Sequence, residues 1–171
     1  MRNLFKIIVV LFIVTASAAT NAQTLKFGHI EFQALIQIMP EMSTAQIEMD
    51  KFQKDLNDVF DELYEKYQQI LAELEQLTSN PDASEVRRNA KLTEFQEMQT
   101  RIENYRNNAS QQIDRKQTEL LQPIINKAQA TIEEVARAQG LIYVFDSDYL
   151  LYKSNSSVDV LPLVKEKMGI K

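Results

Sequence analysis

Apolar residues between positions 43 and 79 recur in steps of three and four, the spacing that places side chains on one face of an α-helix. This seam consists of Met49, Phe52, Leu56, Val59, Leu63, Tyr67, Ile70, Leu74 and Leu77. Two successive four-residue steps lead from Val59 through Leu63 to Tyr67, and such an insertion locally unwinds a supercoil. The pattern therefore predicts one long coiled-coil helix.

A second helix with the same character follows a strong turn signal at residues 80–84, which include a proline. Ser84 is a suitable N-cap, and the apolar positions again alternate in steps of three and four. They are Phe95, Met98, Ile102, Tyr105 and Ala109. Two consecutive helices with matching seams predict an antiparallel hairpin.

Two prolines indicate where this hairpin leaves the rest of the chain. Pro40 and Pro123 lie symmetrically about the turn, so the hairpin would place them at the same level. We expect Pro123 to break the second helix, because proline removes a helical hydrogen bond. The predicted arm spans residues 41–122, and residues 23–40 and 123–171 form the predicted body.

Short apolar runs predict strands in this body. Residues 25–30 form a first strand, and the continuous run at 141–145 predicts a strand that is buried on both faces. Residues 149–152 are its expected hairpin partner, across a turn at 146–148 that contains two aspartates. We expect Gly140 to end the preceding helix, and residues 159–168 to form a short final helix.

The predicted fold class is α+β and predominantly helical, with a small β body and a long antiparallel coiled-coil hairpin arm. Three short apolar strands without disulfides would leave unpaired edges, and a symmetric oligomer is the simplest way to cover them. The candidate oligomerisation residues are Phe27, Ile30, Ile142, Val144, Leu150 and Tyr152.

The first 22 residues have the pattern of a secretory signal peptide. Arg2 and Lys6 precede an apolar run that is too short to cross a membrane, and small residues follow it. Cleavage after Ala22 fits best, with Ala18 and Ala19 as alternatives. We therefore expect an exported protein whose mature net charge is -7, which disfavours nucleic acid as a partner.

Composition argues against catalysis and against cofactors. The 171 residues include no cysteine, three glycines and a single histidine, His29, so cysteine zinc sites and Ser-His-Asp triads with a spare base are excluded. His29 is expected to be a structural or surface histidine rather than a ligand, since a second soft ligand is missing. The sequence predicts no enzyme activity, no metal site and no bound cofactor.

Charge is distributed unequally between the two arm helices. Residues 41–79 carry ten acidic and three basic side chains, whereas residues 84–122 carry six and seven. The only compact basic group, formed by Arg87, Arg88 and Lys91, follows the turn at the arm tip. It is a candidate anion or client contact. The alternative is ordinary helix-surface charge, with Glu85 and Glu94 as partners.

Both ends of the mature chain resemble the Skp/OmpH family of periplasmic chaperones. Near the N-terminus, the similar residues are Gly28, His29, Ile30, Leu35, Ile36, Pro40 and Glu41. Near the C-terminus, they are Gly140, Val144, Asp146, Tyr152, Asp159, Val160, Val164 and Met168, in the family's order and spacing. The arm between them is the part that varies in this family.

The resemblance implies a homotrimer whose strands assemble a small barrel, with three helical arms around a central cavity. It implies an ATP-independent periplasmic holdase, a chaperone that keeps unfolded outer-membrane proteins from aggregating. The best-known members are strongly basic, whereas this chain has a pI near 5.0, which argues against carrying over their lipopolysaccharide or membrane-surface contacts. The alternative function is a structural coiled-coil spacer or adaptor of the cell envelope.

Overall fold

The structure is a computed structural model that describes residues 25–170, and the expected signal peptide lies outside this range. It contains four α-helices, three β-strands and one short 3-10 turn. The helices are α1 (Phe32–Ile38), α2 (Pro40–Ser79), α3 (Glu85–Gln139) and α4 (Leu161–Met168). The strands are β1 (Lys26–Ile30), β2 (Leu141–Asp146) and β3 (Val158–Asp159). The predicted α+β class is confirmed, with a small sheet and a long helical hairpin.

Helices α2 and α3 form the predicted arm, and the loop between them occupies residues 80–84. The 40 residues of α2 give the arm a length of about 60 Å. Seam residues such as Leu63 and Ile70 are buried between the helices. Val59 is instead 44% exposed, so its predicted place in the seam is wrong, and the neighbouring Phe60 is half-buried. At this level of α2, the residue nearer the other helix is therefore Phe60, one position later than the sequence predicts.

Cross-helix ion pairs fix the register of the hairpin at three levels. Glu41 pairs with Lys127 at the root, Glu48 with Lys116 at 3.8 Å, and Glu73 with Lys91 at 2.7 Å near the tip. These pairs are partly or largely exposed, so each contributes little to the free energy of folding. Their main effect is to set the register of α2 against α3 rather than to stabilise the hairpin.

Pro123 does not break the second helix, and that prediction is wrong. Helix α3 runs without interruption through Pro123 for 55 residues. Proline inside a helix costs about 3 kcal/mol, chiefly through the lost hydrogen bond and the clash with the preceding turn. Here the neighbouring Ile124 and Ala128 are buried against the body, and their packing offsets that cost. The arm and the body are therefore joined by one continuous helix.

The sheet differs from the prediction in topology. All strands are parallel, in the order β2-β1-β3, and residues 149–152 do not form a strand within the single chain. The predicted β-hairpin is wrong because the Asp146 carboxylate accepts hydrogen bonds from the backbone N–H of Asp148 (3.2 Å) and of Phe32 (3.5 Å). These bonds favour the 3-10 turn at Ser147–Tyr149, which directs the chain away from β2.

The core of the body lies under one face of this sheet. Its fully buried residues include Leu35, Val160 and Val164, which come from α1, the start of α4 and α4 itself. Gly28 lies where β1 packs closely on the core, since a Cβ atom there would be 2.7 Å from Leu141 Cδ1 and 2.8 Å from Val160 Cγ2. A larger residue at this point would force these side chains to shift.

Several local predictions are confirmed. Gly140 follows α3 with φ of 67° and closes its last turn, and α4 occupies the predicted final segment. Ser84 occupies the N-cap position of α3, although its side chain makes no capping hydrogen bond. None of the described helices combines the length and apolar character that a membrane span needs.

A half-buried phenol links the arm helices where the seam is interrupted. Tyr105 Oη donates a hydrogen bond of 2.7 Å to the carbonyl oxygen of Leu56, and partial burial raises the pKa of Tyr105. We expect Tyr105→Phe to lower the free energy of unfolding by about 0.5 to 1.5 kcal/mol, measured by urea titration at fixed protein concentration.

The matched control is Tyr64→Phe on the same arm, where the side chain is 45% exposed. It should leave the urea midpoint unchanged. Equal midpoints for the two variants would show that the bond between Tyr105 and Leu56 contributes nothing to the arm.

Candidate functional site

The outer face of the sheet carries a cluster of three aromatic side chains, which we call the aromatic face. Phe27 stacks on Tyr143 with ring centroids 6.4 Å apart, and Phe145 lies 6.4 Å from Phe27 and 5.8 Å from Tyr143. All three rings are at least 40% exposed. An exposed contiguous group of aromatic residues is typical of an interaction surface.

A bulge in β2 produces this face. Lys26 pairs with Leu141 and Phe27 pairs with Tyr143, so Ile142 is an extra residue without a partner in β1. Beyond the bulge, Tyr143 and Phe145 alternate outward while Val144 turns toward the core. The prediction that this strand is buried on both faces is therefore wrong for the single chain.

Further apolar side chains surround the aromatic face. Tyr149, Leu151 and Tyr152 are each more than 80% exposed in the irregular segment after β2. This segment and the start of β1 border a cleft of about 560 Å³ that includes Phe27, Phe145 and Leu150. Exposed apolar side chains thus lie together at the sheet, next to its open edges.

The structure separates the six residues predicted for oligomerisation into two groups. Phe27, Ile142 and Tyr152 are exposed, and Leu150 is half-buried beside the cleft. Ile30 is 3% exposed and belongs, with the half-buried Val144, to the chain's own core.

Sequence reasoning missed Tyr143 and Phe145, the two most prominent aromatic residues of this face. Their alternation with Val144 was a visible signal, because side chains alternate between the faces of a strand. Because all of residues 141–145 are apolar, the sequence predicts a strand buried on both faces and hides this alternation. The bulge at Ile142 also shifts the alternation, which the sequence does not reveal.

The basic group at the arm tip is not a single cluster. Lys91 binds Glu73 at 2.7 Å and Glu94 at 2.6 Å, and the hydrogen bond with Glu73 is the main cause of its raised pKa. Arg88 donates a hydrogen bond of 2.9 Å to the Ala83 carbonyl and so stabilises the tip loop. Of the three residues, only Arg87 is exposed.

His29 has a structural environment. It is 6% exposed in the central strand, and its Nδ1 lies 2.9 Å from Ser157 Oγ, next to the edge strand β3. Asp146 and Asp148 form the turn after β2, as described above. Among residues 25–170, no group of three or more histidine and carboxylate side chains is arranged to hold a metal ion.

The arrangement as a whole supports binding rather than chemistry, through an aromatic face on a small body and a long arm. A comparison with curated proteins finds no match. The family model described as outer membrane protein (OmpH-like) matches residues 26–168, nearly the whole described chain. The OmpH family is a family of periplasmic chaperones and not of enzymes. The chain therefore belongs to the OmpH family.

Proposed function

We propose that this protein is an ATP-independent holdase of the periplasm, which binds unfolded outer-membrane proteins in a cavity between the arms of a homotrimer. The observation that carries the proposal is the aromatic face, together with family membership. A body this small leaves the aromatic face of its sheet exposed. Additional copies of the chain would cover this face. The three arms would then extend from one assembled body.

The energetics of the sheet support assembly through this face. Burying one aromatic side chain contributes about 1.5 to 3 kcal/mol, so the three exposed rings offer a substantial driving force for association. The open edges of β2 and β3 add backbone groups that a neighbouring copy would pair. Residues 149–152, which form no strand in the single chain, are the proposed pairing segment.

The arm suits a holdase because it is long and lacks a second globular unit. Its length of about 60 Å gives a client room beside it without a fixed binding pocket. Release without nucleotide requires many weak contacts, which a client loses when it folds elsewhere. The spacer alternative needs a specific docking tip, and two of the three basic tip residues instead bind within the hairpin.

The proposed function is tested by light scattering on the mature protein, alone and after addition of a urea-unfolded outer-membrane β-barrel protein. We expect a mass three times that of the chain, a discrete complex with the client, and suppressed turbidity. The folded form of the same client is the control and should not bind. A monomer or dimer that lets the client aggregate would contradict the proposal and favour the spacer.

The proposed interface is tested by Tyr143→Asp. This residue is 60% exposed and outside the core of the single chain, so the variant should fold and yet remain monomeric, because assembly would bury an unpaired charge. Molar mass from light scattering and helix content from circular dichroism provide the readouts.

The matched control is Ile47→Asp, an apolar residue of the arm that is 66% exposed. It should retain the mass of the wild-type protein. If Tyr143→Asp also kept the full mass with native helix content, the aromatic face would not be the interface. Val144 is unsuitable as a probe because it packs against the chain's own core.

A further inference from the structure

The root of the arm carries two methionines at one opening between the helices. Met42 and Met49 both line a groove of about 240 Å³ between α2 and α3. They lie seven residues apart on α2, about two helical turns, so their side chains project from the same face of the helix. Both residues are half-buried. Two thioether side chains thus share one groove that solvent enters.

The sulfur chemistry of this chain is that of methionine alone. The sequence contains six methionines and no cysteine. In a chain without thiols, the thioether is the side-chain group that peroxides oxidise most readily. The surroundings of each methionine therefore decide which sulfur an oxidant reaches.

Met39 shows how strongly these surroundings differ. It lies three residues before Met42, is 2% exposed and belongs to the core of the body. Hydrogen peroxide is little larger than water, whose share of liquid volume is about 30 Å³, so it fits the groove beside Met42 and Met49. It reaches Met39 only after local unfolding of the core.

The groove also carries groups that stabilise an oxidised sulfur. Gln53 and Gln117 line it with exposed side-chain amides. The oxygen of a sulfoxide accepts hydrogen bonds, and each primary amide offers two N–H donors. The more deeply buried lining is instead apolar and includes Ala45, Ile113 and Leu121. A sulfoxide in this groove is therefore drawn toward the exposed amides and away from the apolar lining.

We infer that Met42 and Met49 form a redox-modification site, at which peroxide-class oxidants convert the thioethers to sulfoxides and thereby loosen the arm root. A sulfur lone pair attacks one peroxide oxygen, so that an S–O bond forms and the O–O bond breaks. The sulfur loses two electrons, and hydrogen peroxide is reduced to water as the proton of the transferred oxygen moves to the departing one. This inference goes beyond the proposed function and does not depend on client binding.

The position of the two sulfurs explains why oxidation changes the structure. Met49 is a seam position of α2, and Met42 packs against the core of the body. A sulfoxide kept in either apolar contact would bury a polar S–O group without a partner. A sulfoxide that turned to the exposed amides would instead remove packing from the apolar lining. Both responses weaken the contact between α2 and α3 at the root.

The first test maps oxidation in the folded protein. The mature protein is treated with dilute hydrogen peroxide, quenched with catalase and digested with a protease that cleaves after glutamate. Cleavage after Glu41 and Glu48 places Met39, Met42 and Met49 on three different peptides, so mass spectrometry follows each sulfur separately. Met42 and Met49 should gain oxygen several-fold faster than Met39.

Urea-unfolded protein is the control for this comparison. The three methionines should then react at equal rates, because the protection of Met39 comes from the folded core. If Met39 reacted as fast as Met42 and Met49 in the folded protein, the inference would be overturned.

The second test measures what the sulfoxides do to stability. Met42→Leu combined with Met49→Leu removes both sulfurs and nearly conserves side-chain volume, so the untreated variant should unfold close to the wild-type urea midpoint. At the peroxide dose that modifies these two sulfurs, the midpoint should fall for the wild-type protein and stay unchanged for the variant. Methionine sulfoxide reductase should restore the wild-type midpoint, because the modification is reversible.

Hydrogen exchange locates the effect along the arm. After oxidation, backbone amides of residues 42–53 should exchange faster, whereas those of residues 70–79 near the tip should keep their rates and serve as an internal control. Wild-type protein that is oxidised at both sulfurs with an unchanged midpoint and unchanged exchange would contradict the inference. An equal loss of stability in the double variant would place the effect at Met98 or Met168 and would also overturn it.

Discussion

The apolar seam between α2 and α3 is the interaction on which the rest of the molecule depends. Neither helix has another partner along most of the arm, so each is stabilised chiefly by burying residues such as Leu63, Ile70 and Ile102 against the other. Isolated helices gain little from propensity alone in water. The seam therefore holds an excursion of about 60 Å away from the body and fixes which side chains remain exposed.

The body depends on α3 in a different way. Helix α3 continues through Pro123 into the core, where Ile124, Ala128 and Val135 are buried with residues from both ends of the chain. Arm and body thus share one rigid element. An orientation adopted by the body on assembly would be transmitted to the arm, which is a useful property if several arms must enclose one client.

The exposed apolar surface of the body suits one kind of partner. The aromatic face is compact, lies beside open strand edges and suits a symmetric copy of itself.

The sequence by itself determined the arm, its turn, the helix end at Gly140 and the first strand, because heptad spacing, proline and glycine act locally. Tertiary structure decided the rest. The bonds of Asp146 to two backbone N–H groups replaced a β-hairpin with a 3-10 turn, and core packing carried α3 through Pro123. The bulge at Ile142 selected Tyr143 and Phe145, rather than Val144, for the outer face. Each outcome depends on contacts between distant segments, which no local pattern records.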